Sequence, residues 1–318
     1  MDPLSDVLRA VRLDGAFFYL VEATHPWSVH AAPAVDLVPR VLPGAEHLIS
    51  YHIVTEGECW GGCIDEPQFH LRAGDAIVFP HGDPHFMSSV EGRRVEPGVW
   101  GMAPERYLET VHLGPNAGAG VSFVCGFLGC DLRPYNPLLK GMPRVLHITG
   151  ATNAWLSEFP RQVVAESKLR RPGGASLLTR MAELMFVEIV RRYIESSPTH
   201  HAGWLAGLRD PVVGPVLALL HEDPARAWTL AELAREAATS RTVLAERFSD
   251  VVGVPPMQYL AQWRLQLAAE QLANGAEKVA AIGARVGYES EAAFSRAFKR
   301  ATGDSPAAWR RAKVARSH

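Results

Sequence analysis

The stretch "IGARVGYESEAAFSRAFKRATGDSPAAWR", residues 282–310, decides the reading of this chain. Ser290 is a good N-cap, because its hydroxyl can satisfy an orphan backbone N–H. Phe294 and Phe298 follow at +4 and +8, on one face of the helix that Ser290 starts. Gly303 suits the left-handed residue that ends such a helix, and Pro306 suits the first turn of the next. With the phenylalanines turned inward, Glu291, Ala292, Ser295, Arg296 and Lys299 point outward, with Arg300 beside them. The spacing predicts a short helix, a turn and a second helix with a greasy inner face and a polar outer one.

The same pattern occurs once before, 50 residues upstream. Ser240 matches Ser290, Leu244 matches Phe294 and Phe248 matches Phe298. Gly253 matches Gly303, Pro256 matches Pro306 and Tyr259 matches Trp309. The segments "LAELAREA" and "VAAIGARV" run parallel ahead of them, and Thr229 with Glu232 forms a T-x-x-E capping box. Outward positions in the first copy are Arg241, Thr242, Ala245, Glu246 and Ser249. A helix fixed by its inner face and offering a small, polar outer face can enter the DNA major groove. Arg296 has the geometry to read guanine O6 and N7, and Glu246 to accept from cytosine N4. Lys299 and Arg300 lie further along and suit phosphate.

This double motif, over roughly residues 210–312, resembles the AraC/XylS family of transcription regulators. The resemblance implies two helix-turn-helix units joined by a long helix, here about Pro256–Asn274, reading successive major grooves of double-stranded DNA. It carries base-facing roles to Thr242 and Glu246 and to Ala292 and Arg296. The DNA-facing set expected is therefore Ser240, Arg241, Thr242, Glu246, Ser290, Glu291, Ala292, Ser295, Arg296, Lys299 and Arg300. Acidic Glu246 departs from the basic or amide residue common at its place.

Charge is distributed to match. The chain of 318 residues has a formal net charge of −2. Before Asp210 there are 18 Lys+Arg against 22 Asp+Glu, and from Asp210 onward 14 against 12. Between Arg296 and Arg316 seven basic residues face one acid, Asp304. A basic patch on a near-neutral protein suits a polyanion, although a solvated helix face would look the same. No apolar run reaches the ~18–20 residues a membrane helix needs, and "MDPLSDVLRA" lacks the features of a signal peptide. A cytoplasmic protein with four reduced cysteines is expected.

The first ~145 residues read differently. "HLISYHIV", "DAIVFP" and "GVSFVCGFL" are short, β-rich and cut by Gly and Pro. "GDAIVFPHGDPH", Gly74–His85, fits G-x5-P-x-G-x2-H, which resembles the second motif of the cupins. A cupin is a small β-barrel whose interior can hold one ligand or a metal. The first cupin motif is incomplete: Glu46, His47 and Ser50 stand near its ligand places, and His52 is displaced. Cys59 and Cys63 are further donors in principle, but no matched set emerges, so neither metal nor cofactor is expected. The barrel instead reads as a sensor, with His52, Trp60 and His85 as effector-binding candidates and Val54 and Phe79 as other inward residues. Cys125 is the candidate redox thiol.

From about Thr152 helical spacing takes over. Two helices are predicted in "NAWLSEFPRQVVAES" and "SLLTRMAELMFVEIVRRYIESS", and the apolar stripe of the second suits both a barrel cap and a dimer contact. "SPTHHAGWLAG" reads as a linker. The expected organisation is α+β: a cupin-like sensor domain over 1–172 with a helical hairpin, a dimerisation helix and linker over 173–209, and an all-α tandem helix-turn-helix domain over 210–318. The function expected is a non-enzymatic, homodimeric, sequence-specific DNA-binding regulator answering to a small-molecule or oxidant effector, with RNA polymerase as a further candidate partner. The alternatives are a cupin metalloenzyme fused to a DNA-binding module, a thiol-based redox regulator and an effector-free architectural DNA binder.

Overall fold

The computed structural model describes every residue except 1, 12, 93–106, 116–119, 133, 151–153, 197–202, 317 and 318. It divides into two compact units, one comprising residues 13–130 and 142–196 and the other residues 1–12, 131–141 and 197–318. The chain therefore crosses between the units four times.

The first unit is a two-sheet β-sandwich. Its strands are β1 (Leu13–Thr24), β2 (Ser28–Ala31), β3 (His47–Glu56), β4 (Glu58–Cys63), β5 (Phe69–Arg72), β6 (Ala76–Phe79), β7 (His85–Ser88), β8 (Thr110–Leu113), β9 (Gly120–Cys130) and β10 (Leu146–Ile148). One sheet runs β10-β6-β3-β9-β1-β8 and the other β2-β7-β4-β5. Long central strands β1, β3 and β9 read as continuous hydrophobic runs because both of their faces are covered. Val21, Val54, Leu71, Ile77, Phe79, Met87 and Phe123 fill the space between the sheets. Helices α4 (Ala154–Leu169) and α5 (Gly174–Ser196) pack in the same unit, with Phe159 closing on Phe18 and Tyr51. In α5 the apolar stripe divides: Leu178, Ala182, Met185, Phe186, Ile189 and Val190 are buried, while Leu177 and Leu184 are 44% and 54% exposed. A short helix, α2 (Ala34–Val41), completes this unit.

The second unit is helical. Its core sequence is α6 (Trp204–Gly207), α7 (Val213–Glu222), α8 (Leu230–Glu236), α9 (Arg241–Val252), α10 (Pro256–Asn274), α11 (Val279–Arg285), α12 (Glu291–Thr302) and α13 (Pro306–Arg316). Two distant pieces join it: α1 (Pro3–Ala10), and the segment 131–141 with α3 (Pro137–Lys140). Gln266, buried in α10, ties both in. Its Nε2 donates to the Ala10 carbonyl at 2.8 Å, and its Oε1 accepts from the Tyr135 amide at 3.1 Å. The end of the expected linker is corrected here. Residues 204–207 are a helical turn, because Trp204 is buried and its indole N–H donates to the Tyr259 hydroxyl at 2.8 Å.

Candidate functional site

Two places in the molecule gather the residues singled out by sequence: the outer faces of α9 and α12, and the interior of the sandwich.

Each outer helix is built as its spacing predicts. Ser240 Oγ accepts from the Val243 amide and Ser290 Oγ from the Ala293 amide, both at 3.2 Å. Thr229 and Glu232 close both halves of the capping box ahead of α9. Gly253 (φ 84°) and Gly303 (φ 85°) end the helices in the left-handed region that disfavours a Cβ. Leu244, Phe248, Phe294 and Phe298 are fully buried. Arg241, Thr242, Glu246, Glu291, Ala292, Arg296, Lys299 and Arg300 are exposed, and Ser295 is half-buried. The two copies differ by one residue. Helices α8 and α11 lie 49 positions apart, whereas α9 and α12 lie 50 apart. Ala238 and Gly287 hold the matching left-handed turn positions, at φ 49° and 91°. Thr239 and Tyr288 donate equivalent amide bonds to Ala234 and Gly283. Glu289 is thus the extra residue, and it lengthens the second turn.

The basic patch is narrower than the sequence suggests. Arg310 donates to the Glu277 carbonyl, and Lys313 pairs with Asp131 at 2.7 Å, so both serve the unit's own packing. The side chain of Arg316 lies outside the described residues. Arg247 in α9 is likewise taken, bonded to Asp210 through Nε at 2.9 Å. Asp210 also caps α7, accepting from the Val212 and Val213 amides at 2.9 Å. Arg296 and Lys299 are exposed and make no hydrogen bond or ion pair among the described residues. Exposed Val243, in the first turn of α9, is a neighbour of this face that the inward-or-outward assignment passed over.

Inside the sandwich, strand register does the assembling. Tyr19 on β1 pairs with Cys125 on β9, and Cys125 pairs with His52 on β3, so three side chains stand in one row across neighbouring strands. His85 reaches them from β7 of the opposite sheet. His52 Nδ1 lies 2.8 Å from Cys125 Sγ, and His52 Nε2 lies 2.8 Å from His85 Nε2. His85 Nδ1 lies 2.9 Å from the Asp83 carbonyl oxygen. Tyr19, the cross-strand neighbour of Cys125 on β1, brings its hydroxyl within reach of the sulfur. Burial holds both imidazoles neutral: it takes His85 down to about 4, and takes His52 well below its usual value with His85 as a lesser cause. Burial pushes the Cys125 thiol up, so it keeps its proton.

These four residues line a cavity of about 220 Å³ whose other walls include Val21, Val29, Ala31, Met87 and Phe123. An open cleft of about 1190 Å³ shares Val21 and Phe123 with it and is edged by charged residues of both signs, among them Glu56, Arg72, Arg161 and Lys168. Trp60 faces elsewhere and stacks on His70 at 4.7 Å. His47 bonds the Pro80 carbonyl oxygen at 2.7 Å. Cys59 and Cys63 are buried, with pKa values pushed up to about 12, chiefly by burial. Among the described residues no three His, Cys, Asp or Glu side chains converge on a common point. His52 spends one ring nitrogen on Cys125 and the other on His85, so those two groups lie on opposite sides of the ring. The donor set does not fit a metal ion. Tyr19 carries no sequence signal as a site residue; only its cross-strand pairing reveals it.

Comparison with known proteins follows the same division. The chain matches the family model described as Cupin over residues 2–195, and that described as Helix-turn-helix domain over residues 233–312. It is 34% identical over 98% of its length, and 98% of the other's, to a Streptomyces lividans protein described as an AraC-like transcription regulator. It is 26% identical to the HTH-type transcriptional regulator AlkR of Acinetobacter baylyi, over 98% of this chain and 99% of that one. Among solved structures, the DNA-binding domain of AdpA in complex with a target DNA is 33% identical, with a TM-score of 0.32 over 34% of this chain and 96% of that one.

Proposed function

Because this chain belongs to the family of AraC-like transcription regulators, we propose that it reads double-stranded DNA through α9 and α12 and takes its instruction from a small molecule held in its β-sandwich. The observation that carries the DNA half is the repeated build of the two outer helices. Each has a buried inner face, a serine cap and an exposed outer face, with Arg296 and Lys299 free of partners among the described residues. Arg296 is assigned to a guanine edge, Glu246 to cytosine N4, and Lys299 and Arg300 to phosphate. The capping serines are assigned to orienting their helices and meeting backbone phosphate.

Replacing Arg296 with alanine is expected to weaken selected DNA by about 1–3 kcal/mol while leaving random DNA almost unaffected. Fluorescence anisotropy on an operator selected from a random pool, against a scrambled duplex, measures the difference. Equal losses on both would reassign Arg296 to phosphate.

The effector half rests on the cavity that joins His52, His85, Cys125 and Tyr19. The buried, protonated state of Cys125 favours a ligand over an oxidant as the signal. Two copies working together suit paired DNA half-sites, and Leu177 and Leu184 on the open side of α5 offer the surface for pairing. Leu184→Glu is expected to turn dimers into monomers that keep their fold, with a melting temperature lowered only by the lost association. Sedimentation reads it, and an unaltered dimer would move the interface elsewhere. No helix among the described residues is long and apolar enough to cross a membrane, and work on DNA assigns the protein to the cytoplasm.

A further inference from the structure

The direction of every hydrogen bond in the cavity row follows from one end. The Asp83 carbonyl can only accept, so His85 Nδ1 carries the hydrogen. His85 is neutral, which leaves Nε2 as a bare acceptor. His52 Nε2, 2.8 Å away, must then be the N–H that donates to it. His52 is neutral too, so its Nδ1 is bare and accepts from the Cys125 S–H. The sulfur has spent its only hydrogen, so the Tyr19 hydroxyl, on the strand paired with it, can meet that sulfur only as a donor. Each hydrogen in the row Tyr19, Cys125, His52, His85 is committed inward along it.

What remains open to a ligand is narrow. No N–H or O–H of the row is spare, so a group that only accepts finds no donor there. The lone pairs of the Tyr19 oxygen are the strongest acceptor left. Around it stand Val21, Val29, Ala31, Met87 and Phe123, and among the described residues no Asp, Glu, Lys or Arg lines the space. An ion would enter without a counter-charge, which is costly in such surroundings. At ~30 Å³ per water-sized group, the volume of about 220 Å³ holds about seven such groups.

Resting on the reading of the cavity as the effector site, we propose that it takes an uncharged, largely apolar molecule of this size with a single hydroxyl, an aliphatic alcohol or a small phenol. The hydroxyl donates to the Tyr19 oxygen, and the hydrocarbon part lies against Val29, Met87 and Phe123. The site discriminates by what it withholds: a ketone, ester or carboxylate of equal size gains no hydrogen bond, and an ammonium, although it could donate to Tyr19, leaves water without a counter-charge.

The test uses the full-length protein and four probes: hexan-1-ol, hexan-2-one, hexanoate and hexylammonium. Affinity is read by titration against the ¹³C-labelled methionine methyl signals. The Met87 signal, assigned through Met87→Leu, reports the cavity without altering the row. Hexan-1-ol is expected to shift the Met87 signal and bind about tenfold tighter than hexan-2-one, roughly one hydrogen bond. Tyr19→Phe should erase that margin by weakening the alcohol alone. Hexanoate and hexylammonium should bind weaker still. If hexan-2-one or hexanoate moves the Met87 signal as strongly as the alcohol, the ligand class is overturned and the cavity reading stands. If none of the four moves it, or if all binding leaves it in place and shifts other methionines, both claims fall.

Discussion

Phe298→Ala is expected to unfold the second helix-turn-helix and to abolish DNA binding on every sequence alike. Phe298 is fully buried in α12, edge-on to Phe294 at 5.6 Å and to Trp309 of α13 at 5.7 Å. Leu265, Leu272 and Ile282 close the same cluster. Removing such a ring typically costs about 3–5 kcal/mol, a large share of the stability of a small helical unit. The sheet-rich unit shares no side chain with this cluster and should melt as before. Hydrogen exchange resolved by segment separates the two, with protection lost over α11 to α13 and kept over β1, β3 and β9. The contrast with Arg296→Ala is the informative part. One residue holds the helix, the other reads with it, and a Phe298→Ala protein that stayed folded but bound no DNA would mean that this division of labour is wrong.

Acid is expected to destabilise the protein well before its carboxylates are titrated. His85 is held neutral by burial, with a folded value of about 4 against about 6.5 in the unfolded chain. Below pH 6.5 the unfolded chain takes up a proton that the folded chain refuses, so stability falls as pH falls. The loss stops once the folded value is passed, and it amounts to about 3 kcal/mol for this one residue. His221 in the helical unit adds a second loss of the same sign. Burial takes it down to about 3, the nearby Asp2 charge opposing only weakly. Its Nε2 lies 2.6 Å from the Tyr259 hydroxyl, while its Nδ1 is 3.6 Å from Asp6. Denaturant unfolding at pH 7 and at pH 4.5 should therefore show a steep drop, and it should be reduced for the sheet-rich unit in a folded His85→Gln protein. Unchanged stability across that interval would rule out neutral, buried imidazoles.

Much of the helical unit was legible because its determinants are local. A serine cap, a glycine stop and apolar residues at +4 and +8 each act within a turn or two of the chain, and α10 has the bounds expected of it. The one-residue difference between the two turns was present in the letters too, since "LAELAREA" and "VAAIGARV" stand 49 apart. The cavity was legible only in part. His52 and His85 stood out by residue type, but Tyr19 enters through the pairing of β1 with β9, and nothing near Tyr19 in sequence announces that register. Trp60 illustrates the reverse. It stands among the inward candidates of the sequence, yet alternation along β4 sends Cys59, Gly61 and Cys63 one way and Trp60 the other. Long-range pairing, rather than local propensity, chose the members of the row.

The way Gln266 grips two remote pieces of chain bears on how hybrid regulators can be made from this protein. A gene fragment starting at the segment before Trp204 would encode both DNA-reading helices and look complete on a linear map. It would leave out α1 and residues 131–141, so the Gln266 amide would face water, and the wall of α7 and α10 that α1 covers would be bare. Such a fragment should be sticky and short-lived. A transplant would keep its footing only if both pieces travelled with it, which means that the two folding units and the two reading frames of exchange do not coincide.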